Sequence, residues 1–249
     1  GNVLQWVMET RGVGFREAAE ELAAEVGDAP AIGSSPASCP VDGEMTDREL
    51  MEAVVAYYHA TLAGSAEALG YLERRGLRSP ELVGRFRLGY ADRSLGTLLP
   101  EKNRLAGAEI RSRLQKLGVW RESGHEHLRG SLVVPIFDET GGVVQMYGRK
   151  INDNLRAGTA KHLYLAGPLR GVWNREALVA SSEIIVCESL IDAMTFWSAG
   201  YRNVTAAYGV EGLTAGHVDA FRDHGVERVL IAYDRDAAGD RAAERDGER

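Results

Sequence analysis

The stretch Tyr233-Asp234-Arg235-Asp236-Ala237-Ala238-Gly239-Asp240 sets acids directly behind the apolar run Val229-Leu230-Ile231-Ala232, which reads as a buried strand. Glu188 follows the apolar run Ile184-Ile185-Val186-Cys187 in the same way, and Asp192 lies one helical turn further on. Carboxylates brought together at neutral pH repel one another unless a divalent cation neutralises them, and oxygen ligands of this kind suit Mg2+ or Mn2+. In Asp-x-Asp just past a strand, alternate side chains project to one side, and Gly239 lets the backbone turn closely into the next helix. Glu188, Asp234 and Asp236 are therefore candidates for metal-dependent chemistry, with Asp192 as an additional or outer ligand. The competing reading is that Asp234 and Asp236 cap the following helix and that Asp192 is a solvated helical acid.

Elements that could bring these acids together are legible nearby. After Ser182 the chain alternates apolar strand and helix: Ile184 to Cys187, Leu190 to Ala199, Val204 to Ala207, Thr214 to His224, and Val229 to Tyr233. That rhythm predicts right-handed crossovers and a parallel sheet, whose ligand site lies outside the carboxyl ends of the strands. The loops after Cys187, before Gly209 and after Tyr233 should then face one crevice. Upstream, Leu132 to Phe137 and Val143 to Arg149 are strand-like runs joined by Asp138-Glu139-Thr140-Gly141-Gly142, the punctuation of an antiparallel hairpin. Thr46 with Glu49 has the form of a capping box before an apolar helical face at Leu50, Val54, Tyr57, Tyr58 and Leu62. Helices are expected over Ala66 to Arg75, from Ser79-Pro80, and over Leu105 to Leu117, with a strand from Phe86 to Tyr90. The fold class is α/β: an α+β lobe followed by a parallel α/β unit.

The 249 residues are 45% hydrophobic and 26% charged, enough to bury the cores of one to two domains. No apolar run approaches the roughly 20 residues of a membrane span, and the first residues lack the order of a secretory signal, so no membrane partner and a cytoplasmic location are expected. Cys39 and Cys187 alone make neither a disulfide framework nor a zinc site. The formal charge of -7 gives no global attraction to nucleic acid, so any such binding needs a local basic patch or bridging cations. Helical spacing from Phe15 to Val26 makes residues 1–27 a small helical piece, and 28–45, rich in Pro, Gly and Ser, read as a linker. Opening on Gly1 and closing on Glu248-Arg249, the chain reads as a piece of a longer one.

Taken in order, "IIVCESLIDAMTFWSAG", "NVTAAYGVEGLT" and "VLIAYDRDAAGD" resemble the Toprim domain shared by topoisomerases and primases. More narrowly, "GRFRLGYA", "LRGSLVVPIFDETGGVVQMYGRKI" and "KHLYLAGP" are similar to the lobe that precedes Toprim in bacterial DnaG-type primases. The opening "GNVLQWVMETRGVGFREAAEELAAEVG" is similar to the end of that family's zinc-binding domain. The resemblance implies residues 1–27 as a remnant of the zinc-binding domain, with Zn2+ only in a part before Gly1. It further implies 46–181 as the N-terminal lobe and 182–249 as a truncated Toprim unit. It implies Glu188 as the catalytic glutamate, Asp192 as its neighbouring acid, and Asp234 and Asp236 as a metal-binding pair for Mg2+ or Mn2+. Arg235 stands where the family usually has glycine, and "ESLID" replaces "EGYMD", but every acid is kept. A further acidic pair is expected beyond Arg249.

The same resemblance implies synthesis of short RNA primers on single-stranded DNA from ribonucleoside triphosphates, with a replicative helicase as partner. Phosphates are held by Arg, Lys and backbone amides. Arg129, Arg149, Lys150, Lys161, His162 and Arg170 fall where the family has a basic strip, although any one of them taken singly reads more readily as an ordinary solvated charge. Tyr164 and Trp173 could stack on bases or sit in the core. His125 and His127 suit a polar loop better than a metal site, and Ser189 lacks the frame of an activated nucleophile. Two rivals stay open: a Toprim-type nuclease or topoisomerase, and a non-catalytic single-strand-binding module of a primase-helicase. The chain contains no phosphate-binding Gly-rich loop with Lys and Ser/Thr.

Overall fold

The computed structural model describes residues 41–152, 154–209 and 212–248. The expected helical piece and zinc-domain remnant at 1–27, and the linker as far as residue 40, lie outside the described residues. All described residues belong to one compact unit, Ser38–Arg249. The described end of the expected linker is packed: Val41 is buried, and Arg113 donates to the Gly43 carbonyl at 2.9 Å and to Asp47 at 2.8 Å.

Helix α1 (Asp47–Gly64) opens on the expected capping box, with the Thr46 N–H donating to Glu49 Oε2 at 2.7 Å and Thr46 Oγ1 accepting from the Glu49 N–H. Its buried stripe runs from Leu50 to Leu62. Helices α2 (Ala66–Arg74) and α3 (Pro80–Arg85) follow, each capped by a serine, Ser65 and Ser79, as the Ser-Pro pair predicts for α3. The strand expected from Phe86 to Tyr90 is shorter and later, at β1 (Gly89–Ala91), because Phe86 is the C-cap of α3 and Arg87 turns through φ 49°. Gly89 is there for contact, since a Cβ on it would lie 2.7 Å from Tyr58 Cβ on α1.

Two short helices, α4 (Leu95–Leu98) and α5 (Leu105–Lys116), lead to the hairpin β2 (Ser131–Phe137) and β3 (Val143–Lys150). With β4 (His162–Tyr164) they complete an antiparallel sheet of order β1-β2-β3-β4, in which Arg149 pairs with His162 and Tyr147 with Tyr164. Helix α6 (Glu176–Ala180) then precedes a parallel sheet of β5 (Glu183–Cys187), β6 (Val204–Ala206) and β7 (Arg228–Ala232), in the order β6-β5-β7. Helices α7 (Leu190–Ser198), α8 (Ala215–Asp223) and α9 (Ala237–Gly247) make the connections and the end.

The two sheets share a core. Phe86 packs between Trp173 and Trp197, with ring centroids at 4.2 and 5.3 Å, and the same apolar cluster takes in Leu132 and Tyr147 from one sheet and Ile185 and Val204 from the other. The central strand β5 is buried from Ile184 to Cys187, as its apolar run predicts. The run Val229-Leu230 reads the same way but does not behave so. In the stretch of chain described it is the outer strand of the three, with Val229 37% and Leu230 42% exposed.

Candidate active site

The carboxyl ends of β5, β6 and β7 lie together because the strands are parallel and paired in register, Cys187 beside both Ala206 and Ala232. The loops leaving them are tied. The Ala207 N–H donates to the Cys187 carbonyl at 2.8 Å, the Gly209 N–H to the Glu188 carbonyl at 3.1 Å, and the Asp234 N–H to Glu188 Oε2 at 3.4 Å. Gly209, at φ 61°, makes the turn after β6.

A cavity of about 480 Å³ opens at this edge, lined by Glu188, Asp192 and Asp234 together with Arg75, Arg149 and His162. The hydroxyl-bearing side chains of Tyr147, Tyr164, Ser189 and Tyr208 complete its polar lining. It brings acids from the loops and helix of the parallel unit against Arg149 of the antiparallel sheet and Arg75 at the end of α2. Burial pushes the Glu188 carboxyl up, and the negative charges of Asp234, Asp236 and Asp192 add to it against the opposing Asp234 N–H. That mutual repulsion is what a divalent cation relieves.

The four acids are not equivalent. Asp234 lines the cavity, whereas Asp236 accepts from the N–H groups of Ala238 at 2.9 Å and Gly239 at 2.8 Å as the N-cap of α9. Those two donors hold its carboxyl below the usual range. Asp236 uses one oxygen, Oδ1, in both bonds. Asp192 Oδ2 accepts from Ser189 Oγ at 2.6 Å, and Ser189 in turn caps α7, so its hydroxyl serves the helix start rather than nucleophilic attack. Gly239 acts as its position suggested: a Cβ there would sit 2.1 Å from the Asp234 carbonyl oxygen.

Among the described residues no three His, Cys, Asp or Glu side chains are arranged around one metal position. The donor set still fits a hard cation, because Mg2+ is commonly held by one or two carboxylates and completes its shell with water and substrate phosphate. Glu188 and Asp234 are the pair placed for that role.

The basic residues divide. Arg149 lines the cavity, but its neighbour Lys150 points to the other side of β3, as strand alternation requires. Lys150 donates to the Arg129 carbonyl, and burial with the nearby Arg129, Arg121 and Arg93 pushes its ammonium down to about 8. Lys161 and Arg170 do not line the cavity; the Arg170 carbonyl accepts from Tyr208 Oη, and Lys161 precedes β4. His127 is structural: Arg121 Nε donates to its Nδ1 at 3.1 Å, so its Nε2–H donates to the Tyr164 carbonyl at 2.8 Å. Trp173 is core, while Tyr164 is half-buried against Tyr147 and Tyr208. Arg75 and Tyr208 carry no local sequence signal, one beginning a turn after α2 and the other following a short strand.

Comparison with known proteins supplies the family. Residues 57–176 match the family described as the DNA primase catalytic core, N-terminal domain, and residues 185–248 match the Toprim-like family. The chain belongs to the bacterial DnaG-type primase family. DNA primases of Campylobacter jejuni and Pasteurella multocida are 25% and 28% identical over 98% of this chain. The chain spans about two fifths of those relatives, 40% and 43% of their lengths. A solved DnaG primase catalytic domain bound to ssDNA superposes with a TM-score of 0.65 at 25% identity, covering 80% of this chain and 64% of that one. In this primase-family chain both matched regions contribute to the cavity, Arg75, Tyr147, Arg149, His162 and Tyr164 from the first and Glu188 to Asp234 from the second. No helix among the described residues is long and apolar enough to cross a membrane.

Proposed function

We propose that this chain carries the catalytic region of a DNA primase, a nucleotidyltransferase that joins ribonucleoside triphosphates into a short RNA primer on single-stranded DNA. The observation that carries the reading is the single cavity in which Glu188, Asp192 and Asp234 meet Arg75 and Arg149. Nucleotidyl transfer asks a protein to place a 3′-hydroxyl and a triphosphate in line and to neutralise the charge that develops. When bound, Mg2+ or Mn2+ activates the hydroxyl and screens the phosphates. Glu188 and Asp234 would hold it, with Asp192 and Asp236 adding negative field around it. Arg149 and Arg75 bind the phosphate oxygens, and the tyrosine-lined wall restricts water.

The solved relative bound to ssDNA supports a single-stranded template. The basic group of Lys150, Arg129, Arg121 and Arg93, outside the cavity, suits the template's phosphates. Ribonucleoside triphosphates as substrates and a replicative helicase as partner belong to the same reading through family membership. So does the division of the chain into a zinc-domain remnant at 1–27, a linker at 28–45, an N-terminal lobe at 46–181 and a Toprim unit at 182–249.

The test is primer synthesis by the full-length protein on a single-stranded circular template, with labelled ribonucleotides and Mg2+ or Mn2+. Template-dependent oligoribonucleotides that vanish in Asp234→Ala support the reading. Cleavage of the template without RNA product indicates the nuclease instead, and DNA binding with neither product indicates the non-catalytic module.

A further inference from the structure

At the cavity wall, side chains of β3 and β4 form a relay of three. His162 Nδ1 lies 2.8 Å from Tyr147 Oη, and its Nε2 meets Arg149 Nη1. Register produces this arrangement, because Arg149 and His162 are direct partners in the ladder and Tyr147, two residues back on β3, shares their face.

Hydrogen-bond chemistry fixes the protons. A guanidinium has donors only, so Nε2 of His162 must accept from Arg149. A neutral imidazole accepting at Nε2 carries its proton on Nδ1, which therefore donates to Tyr147 Oη. The Tyr147 hydroxyl, on a buried ring, accepts the Nδ1 proton and so accommodates the tautomer that Arg149 imposes. Arg149 Nε is itself buried without a hydrogen-bond partner, an unspent donor on a side chain that lines the cavity with Glu188 and Asp234.

We propose that His162 is a positioning residue: through its unprotonated Nε2 it holds the Arg149 guanidinium at the cavity for the triphosphate of an incoming nucleotide, while Tyr147 Oη receives its Nδ1 proton and anchors the ring. The proposal rests on the primase reading for the identity of the ligand. Protonating His162 would set an N–H against the guanidinium and release it. Besides Arg149, the charged groups near the imidazole are Asp192 on α7, Arg75 after α2 and Lys161 before β4; burial, then Arg149, keeps its pKa below the ordinary value.

The experiment compares His162→Ala, His162→Gln and Tyr147→Phe in the full-length protein. ATP binding with Mg2+ is measured by equilibrium dialysis, and KM and kcat for ribonucleotides in primer synthesis. His162→Ala should weaken ATP binding and raise KM about tenfold, the loss of one charge-assisted hydrogen bond, with kcat little changed. Glutamine presents an acceptor that cannot be protonated near neutrality, so His162→Gln should recover most of the affinity and lose the wild-type weakening of ATP binding at acid pH. Tyr147→Phe should fall between. ATP affinity within twofold of wild type in His162→Ala, or an acid limb that persists in His162→Gln, overturns the proposal. Dialysis reads it without turnover, so absent primer synthesis with intact, His162-dependent ATP binding would count against the primase reading alone.

Discussion

The N–H of Asp234 donates to Glu188 Oε2 at 3.4 Å, which joins the end of strand β7 to the end of central strand β5 across the cavity mouth. The two residues are 46 positions apart in the chain, and parallel pairing alone makes them neighbours. Burial, and after it the negative charges of Asp234, Asp236 and Asp192, raise the Glu188 pKa, so a cation should be bound where these acids meet.

Adding Mg2+ or Mn2+ in large excess should therefore raise the melting temperature of the protein. At a hundredfold excess over Kd the stabilisation is about 2.7 kcal/mol. Glu188→Gln and Asp234→Asn should each abolish that rise and reduce primer synthesis at least about a hundredfold, while the melting temperature without metal stays near wild type. A metal-induced rise that survives in both variants would exclude this pair as ligands.

Asp236 and Gly239 should separate capping from chemistry. Asp236→Asn keeps an acceptor for the Ala238 and Gly239 N–H groups and should preserve thermal stability, whereas Asp236→Ala should lower it by removing the cap. Gly239→Ala drives a Cβ into the Asp234 carbonyl and should cost about 1–3 kcal/mol while displacing Asp234, so activity falls together with stability. Equal denaturation midpoints for Gly239→Ala and wild type would contradict the close approach.

Stability should change little between about pH 4.5 and 6.5, because two buried groups titrate there with opposite signs. Glu126 is buried against Tyr58 Oη at 3.0 Å, and burial pushes its carboxyl up to about 7 from 4.5, so its contribution is complete below pH 4.5 and lost as pH rises through 7. His217 is fully buried, its Nε2–H donating to the Ala206 carbonyl at 3.1 Å, and burial pushes it down to about 4 from 6.5. Its contribution is present above pH 6.5 and lost as pH falls through 4. Each contribution alone is on the order of 3 kcal/mol and the two nearly cancel in wild type, so Glu126→Gln should unmask a rise of that size between about pH 4 and 6.5. Urea midpoints between pH 4 and pH 9 would show it.

The two faces of β3 should give different phenotypes. Arg149→Ala should weaken nucleotide binding with little effect on single-stranded DNA affinity. Lys150→Ala should weaken DNA binding and reduce the slope of log affinity against log salt by about 0.7, the release of one counterion from a single strand. Because the Lys150 ammonium titrates near 8, wild-type DNA binding should also decline as pH rises through that value. Filter binding at several salt concentrations, with and without each substitution, distinguishes them.

Local features were open to reading from the chain alone. Thr46 and Glu49 declared a capping box, Ser79-Pro80 a helix start and the Gly141-Gly142 turn a hairpin, because each works through neighbours a few residues apart. The alternation after Ser182 announced a parallel sheet, and acids behind two apolar runs announced a site at its carboxyl edge, since that edge is the one place where all the crossover loops gather. What only the tertiary structure decided was which groups share a space. It set β7 beside β5, with Cys187 opposite Ala232. It left Asp236 out of the cavity that Asp234 lines, and sent Lys150 away from the cavity that receives Arg149. It also brought to the acids Arg75 and Tyr208, from segments with no local signature, and Tyr147, from the expected hairpin. The physical reason is range: capping and turn formation are short-range and written in adjacent residues, while strand order, cross-strand register and the packing of one sheet against another depend on the whole chain closing around a common core.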